Sequence, residues 1–410
     1  MATMVRLGIL VLVLALLTAC GAGAQPRERA MVRDSAGITI VENSVGLWRK
    51  GEAWRLTEAP LVEIGVLDGE PEYQLYQVTG ATRLADGRIV VANGGTRELR
   101  FYDGDGRFLR SVGRQGAGPG EFRGYMGLHV GGDSLYAFDS DLRRVSVFDQ
   151  EGRFARSFVL EGPTSGASPF MRGVFSDRSV LVSGSRPFRY GEERGGVARR
   201  TVSFWRYGPD GVQLDSIGSF PGSESYVHVT GGSMSVMSLA FGKELHQAIH
   251  GMALYIGTTD HYEIGRYAAD GTLERLIRRP NAVVAVTPED IRRYRAELLE
   301  AMEMEFRQDF ASMMDAMPYP ETFPAYQQLA TDPAGNLWVE EYRRPGDDQP
   351  RWTVFDPSGQ MLGTVDMPSG FTSVEIGNDY VLGIWKDEFD VEHVRLYGLT
   401  KPRADDLAIR

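Results

Sequence analysis

Residues 78–113, VTGATRLADGRIVVANGGTRELRFYDGDGRFLRSVG, decide the fold. Apolar and β-branched residues come in four short runs, 79–84, 88–92, 98–102 and 108–113. Ala85-Asp86-Gly87 and Asp103-Gly104-Asp105-Gly106 supply turns, and a loop joins the middle pair. Short runs punctuated by Asp-Gly predict an antiparallel meander of four strands. One such sheet cannot bury both of its faces alone.

The unit recurs. An aromatic residue followed four positions later by glycine closes the third strand at Tyr102/Gly106, Phe148/Gly152, Tyr207/Gly211, Tyr267/Gly271 and Phe355/Gly359, and Tyr397 stands in a sixth strand of the same kind. Second-strand runs precede them: Ile89-Val90-Val91, Leu135-Tyr136-Ala137, Val180-Leu181-Val182, Leu254-Tyr255-Ile256, Leu337-Trp338-Val339 and Val381-Leu382-Gly383. Six units whose faces cover one another predict an all-β fold, a six-bladed β-propeller spanning 37–400. The last unit supplies only three strands. A strand at 61–64 is therefore expected to complete it and close the ring, with Trp48 and Trp54 capping the junction.

Composition agrees. The chain has 410 residues, 42% of them hydrophobic and 24% charged, which is ample for a core. Ring growth by repetition explains why so long a chain need not divide into domains. A formal net charge of −11 argues against nucleic acid as a partner. The single cysteine excludes an internal disulfide and a cysteine-based zinc cluster.

Arg6, the apolar run 7–17 and then Leu17-Thr18-Ala19-Cys20 have the shape of a signal peptide, too short to span a membrane comfortably. Small residues before a cysteine resemble the lipobox of bacterial lipoproteins. That resemblance implies removal of residues 1–19, acylation of Cys20, and attachment to the cell envelope through the lipid alone. Gly21 rather than aspartate then favours the outer membrane where the cell has one. Residues 20–36 read as the lipidated tether and 401–410 as a polar tail.

Gly-Glu-Pro-Glu-Tyr at 69–73 and Gly-Ala-Gly-Pro-Gly-Glu-Phe at 116–122 are two versions of one connection between blades. Together with Ala-Asp-Gly-Arg-Ile-Val-Val-Ala-Asn at 85–93 and Tyr-Asp-Gly-Asp-Gly-Arg-Phe at 102–108, they resemble bacterial six-bladed propeller lipoproteins of the NHL-repeat-like type. The resemblance is sharpest in the first two blades and implies a fold, since that family shares no one reaction. The glycine-rich run at 113–120 lacks the Lys-Ser or Lys-Thr of a phosphate loop and reads as a turn.

Long connections, 185–199, 221–244, 280–325 and 343–351, all join strand ends on one rim, while the turns at the other rim are short. A one-sided distribution marks the face that meets a partner. The largest insertion, between blades four and five, predicts one helix over 287–317. Thr287 caps it, Pro288 opens it, and Ile291, Tyr294, Leu298, Met302, Phe306, Phe310, Met313 and Met317 form an apolar stripe. It packs on the rim or serves as a docking lid.

No nucleophile elbow is present, and no catalytic residue is assigned. His246 and His250 lack the glutamate of a zincin, and Asn93 and Asp139 read as loop-shaping. Stepping back from each second strand, Arg83, His129, Val174, Ala248, Thr331 and Glu375 are expected to face the central channel, a poor metal set. No metal or cofactor is therefore expected. The insertion rim carries Arg97, Arg143, Arg144, Arg186, Arg189, Tyr190, His261, Tyr262, Tyr342, Arg343 and Trp385, a set suited to an anionic or carbohydrate-like ligand or to an envelope protein. The reading is a non-catalytic binding lipoprotein. The alternative is a metal-dependent propeller hydrolase or lyase of the lactonase or NHL-lyase kind.

Overall fold

The computed structural model describes residues 30–49, 51–162, 166–192, 194–280 and 283–402. The signal segment and Cys20 lie outside them. Six sheets surround one axial cavity of about 320 Å³, and each contributes its first strand to the wall: Val78–Arg83, Met126–Gly131, Phe170–Val174, His246–His250, Gln328–Thr331 and Phe371–Ile376. The chain is a six-bladed β-propeller.

The aromatic/glycine rule has a steric cause. Gly106, Gly152, Gly211, Gly271 and Gly359 all have φ between 77 and 91°, a left-handed conformation that a side chain disfavours. Each also presses on the blade before it. A Cβ on Gly106 would stand 2.9 Å from Val62, on Gly152 2.9 Å from Phe101, on Gly211 3.0 Å from Phe158 and on Gly359 3.0 Å from Ile277. On Gly271 it would collide with the Ile217 carbonyl. The preceding aromatic residue fills the interface beside this contact, so Tyr102, Phe148, Tyr207 and Phe355 are all fully or almost fully buried.

The leading segment closes the ring. Val62–Ile64 pairs antiparallel with Glu392–Thr400 of blade six, through Val62↔Leu396, Glu63↔Arg395 and Ile64↔Val394, and Arg55–Leu56 extends the same edge. Trp48 and Trp54 stack at 5.1 Å, and Trp54 lies 5.7 Å from Trp338, so the two rings plug the seam between blades five and six.

Three expectations need correction. Residues 30–36, read as tether, include a strand, Ala30–Ser35. It forms a hairpin with Ile38–Asn43, and that second strand adds in parallel to the outer strand Leu273–Arg278 of blade four. Asn43, wholly buried, then binds blade five through Met361 N–H at 2.8 Å and Gly359 C=O at 3.0 Å. In blade three, much of what read as loop is ladder. Gly196–Tyr207 and Gln213–Thr230 run on past the blade, and Ser233–Ser238 adds a fifth strand after a Gly231-Gly232 turn. The predicted single helix is two, α1 (Pro288–Glu300) and α2 (Arg307–Ala316). Arg307 explains the break: its guanidinium donates to the carbonyls of Met302 at 2.9 Å and Glu300 at 3.1 Å, capping α1 where the helix would otherwise continue.

The helical hairpin packs on the insertion rim. Met317, Tyr294 and Met313 join Tyr226, Leu239 and Ala240 from blade three in a cluster separate from the blade cores. Phe306 and Met304, at the tip, stay exposed.

Gly271→Ala should lower unfolding free energy by about 2–4 kcal/mol, combining left-handed strain with a backbone clash. Gly37→Ala, at a similar φ in open space, should cost about 1 kcal/mol. Equal losses in urea denaturation would contradict the interface role given to the turn glycines.

Candidate functional site

Five of the six positions expected to face the channel, His129, Val174, Ala248, Thr331 and Glu375, do line it. In blade one Thr82 stands there, and Arg83 faces a hollow at the opposite rim. Turn lengths differ by a residue between blades: Arg83 pairs with Ile89, but Val130 with Leu135, so a fixed count drifts. Glu375 accepts bonds from the Thr82 and Tyr380 hydroxyls and from Arg83 N–H at 3.3 Å, while burial raises its pKa. Enclosure, aided by Arg172, lowers His129 to about 4, so it is neutral at pH 7.

A larger pocket, about 660 Å³, opens on the insertion rim and shares Gln328 and Leu329 with the channel. Four segments build it, one of them the 324–329 stretch that carries Gln328 and Leu329. Tyr294 and Glu297 come from α1, Glu244 and His246 from the approach to blade four, and Tyr342, Arg343 and Arg344 from the long connection in blade five. Aromatic contacts hold the wall: Phe241 lies 5.0 Å from Tyr294 and 4.9 Å from Phe323, and Phe323 lies 5.2 Å from Tyr342. Lys243 fastens the returning chain by donating to the carbonyls of Thr322 at 2.8 Å and Phe323 at 2.7 Å.

Pairing decides which charges remain for a ligand. Arg344 donates to both oxygens of Asp290, at 2.6 and 2.8 Å. Asp290 also closes the capping box with Thr287, and that hydroxyl and Arg344 hold its pKa at about 2. Arg343 Nε lies 3.2 Å from Oε1 of the buried Glu340. Burial raises Glu340 to about 7, against the pull of Arg343. His246 Nε2 stands 3.3 Å from Glu244. Glu297 has no side-chain partner among the described residues. The pocket therefore offers tyrosine faces, glutamine amides and carboxylates, with Arg344 tied to Asp290 and the Nε edge of Arg343 turned to Glu340.

The eleven rim residues do not form one surface. Tyr342 and Arg343 line the pocket. His261 and Tyr262 border a separate hollow of about 320 Å³, and Tyr262 is a core residue, 3% exposed, with its hydroxyl 3.4 Å from Glu341. Arg144 is structural: it donates to the carbonyls of Ala117, Gly118 and Glu121 at 2.7–2.8 Å and so pins the glycine-rich connection. Arg100, not singled out from sequence, does the same for the carbonyls of Pro71, Glu72 and Gln74 at 2.9–3.0 Å. Arg97 folds back on Gly94, and Arg143 is exposed at a turn with φ 48°. Arg186, Arg189 and Tyr190 are exposed on blade three, with Arg189 3.7 Å from Glu192. Trp385 lies under the Arg395 guanidinium at 3.4 Å.

Glu244, His246, Tyr294, Glu297 and Arg344 escaped the sequence reading. Tyr294 counted only as part of an apolar stripe, and His246 only as a partner for His250. Those two histidines sit at opposite ends of one strand, about 13 Å apart along it. Asn93 and Asp139 shape loops. Asn93 accepts Tyr76 N–H at 2.8 Å, and Asp139 accepts Asp141 and Leu142 N–H at 2.9 Å. Among the described residues no three His, Cys, Asp or Glu side chains converge as a metal set, and no helix is long and apolar enough to cross a membrane.

A family model described as a 6-bladed beta-propeller matches residues 73–162, the first two blades. Among solved structures, the chain is similar to a Bacteroides fragilis protein described as exported, at 12% identity over 89% of this chain and 100% of that one, TM-score 0.47. A gluconolactonase from Xanthomonas campestris is 16% identical over 78% and 87%, TM-score 0.36. A virginiamycin B lyase from Staphylococcus aureus is 12% identical over 85% and 99%, TM-score 0.38. No functionally curated protein matches the chain by sequence.

Glu340 carries a pH signature. Its folded pKa of about 7 lies above the ordinary 4.5, so the folded state holds the proton more tightly. That contribution to stability is full below about 4.5 and is lost as pH rises to about 7. Glu340→Gln should therefore be more stable than the parent at pH 8, with the gap closing toward pH 4.5. Urea unfolding at both pH values checks this, and a gap independent of pH would contradict it.

Proposed function

We propose that this chain is a non-catalytic binding protein of the bacterial cell envelope, anchored through an acylated Cys20, that takes a carbohydrate-like ligand in the rim pocket. The observation that carries this reading is the pairing within the pocket. Arg344 is locked to Asp290 and Arg343 lies with its Nε edge against the buried Glu340, while the Tyr294 and Tyr342 rings, Glu297 and Gln328 remain. An anionic ligand would have to compete with those internal carboxylates. A polyol brings hydroxyl donors for the carboxylates and amides, and an apolar ring face for the tyrosines.

Propeller hydrolases and lyases that use a metal need a converging ligand set. Metal titration of the purified chain separates that second reading from the binding one, since a tightly held stoichiometric ion favours the enzyme. An envelope protein docking on the same rim would engage the exposed Phe306 and Met304 rather than the pocket floor.

Saturation-transfer NMR of the mature chain against a panel of mono- and oligosaccharides tests the ligand class. Tyr342→Ala and Glu297→Gln should each weaken a bound sugar by about tenfold or more, with the fold unchanged. Binding indifferent to both changes would overturn the site. Cys20→Ser should abolish palmitate labelling in cells and release the protein to the soluble fraction; retention at the membrane would overturn the anchor.

A further inference from the structure

The axial channel holds a feature that the rim pocket does not explain. His129, Arg172 and Glu375 are the ionisable side chains on its wall. Glu375 is fully engaged with donors of its own, as described above, and His129 is neutral. Arg172 is different. Its Nε donates to Ser183 at 2.7 Å and its guanidinium lies 4.6 Å over the Phe170 ring, yet among the described residues no carboxylate pairs with it. Its terminal Nη groups have no acceptor there.

The backbone puts this cation in the lumen. The ladder of blade three shifts register between Met171 and Gly173, so Arg172 is the extra residue of a bulge. A bulged residue leaves the alternation of the strand and its side chain is re-aimed. Across the ring, blade six makes the same shift between Ser373 and Glu375, and there the extra residue is Val374. The bulge itself thus has no need of arginine. Arg172 is exposed to the solvent of the lumen, and partial desolvation by the channel wall lowers its pKa.

We propose that the channel is a second binding site, distinct from the rim pocket, in which Arg172 receives the carboxylate of a small monoanionic organic acid. A planar guanidinium with its Nη edge free matches a carboxylate in a two-point fork. One cation balances one negative charge. A dianion such as phosphate would bring a second charge into a lumen that also holds Glu375. Val130, Val174, Ile249 and Ile376 on the wall offer an apolar surface to the body of the acid. A lumen of about 320 Å³ lies at the small end of ligand cavities. Access comes from either rim, because the channel shares Gln328 and Leu329 with the rim pocket, and Thr82, Val130 and Glu375 with the hollow at the other end.

Two measurements on the mature chain test this. In calorimetry at constant ionic strength, acetate should bind saturably where chloride does not, and Arg172→Met should weaken it by about tenfold or more while Arg172→Lys restores part of the affinity. Acetate affinity unchanged in Arg172→Met overturns the proposal, and inorganic phosphate binding as well as acetate overturns the choice of a carboxylate. Crystals of the unmodified sequence grown with 4-bromobenzoate, whose aryl bromide is inert to the lumen histidine, need no variant to fold. An anomalous bromine peak in the lumen, with the carboxylate on the Arg172 Nη groups, supports the site; an empty lumen at saturating 4-bromobenzoate, or bromine only elsewhere, overturns it.

Discussion

The backbone ladder between Val62–Ile64 and the final strand of the chain is the constraint on which the other features rest. It joins residues more than three hundred positions apart and converts a row of six sheets into a ring. Side chains reinforce it: Glu63 lies 3.0 Å from both His393 and Arg395, while Val62 and Ile64 enter the core between blades six and one. Without it, blade six would expose a bare edge and Gly106 would lose the surface it presses on. The channel and the rim pocket are both defined by the spacing of inner strands, so both inherit their shape from this closure.

On that frame, binding capacity follows from what is left over after internal pairing. The rim is rich in guanidiniums, yet most serve the fold. Arg144 and Arg100 tie down blade connections, Arg199 grips Asp260 through two bonds of 2.7 and 2.8 Å, and Arg344 locks the start of α1 to blade five. The acidic and aromatic side chains of the pocket are less completely used. In the channel the carboxylate of Glu375 is satisfied, while Arg172 donates through Nε to Ser183 and its Nη groups have no acceptor among the described residues. Two cavities that meet at Gln328 and Leu329 thus present opposite electrostatic characters to a ligand.

The parts of this architecture legible in the sequence are those with a steric signature. Glycine four residues after an aromatic is forced by left-handed backbone and blade contact together, so the repeat count and ring closure could be read directly. Side-chain pairing leaves no such mark. Nothing in the local sequence distinguishes Arg144, spent on three carbonyls, from Arg143 beside it, and Tyr262 looked like a rim residue until its burial beside Glu341 was seen. The split of the helical insertion depends on Arg307 reaching back to Met302 and Glu300, within a stripe whose periodicity runs on unbroken. The N-terminal hairpin carried a weak signal, Ala36-Gly37 at a two-residue turn, but its strand Ala30–Ser35 is exposed and polar enough to pass for tether.

Native-state hydrogen exchange tests the central claim, that the ring is one cooperative unit held shut by its leading strand. The amides of Val394 and Leu396 should exchange only through global unfolding, with the same free energy and urea dependence as Val91 and Phe138 in the second strands of blades one and two. Exchange of the closure amides at markedly lower free energy, insensitive to urea, would show an edge that frays independently, and would contradict it.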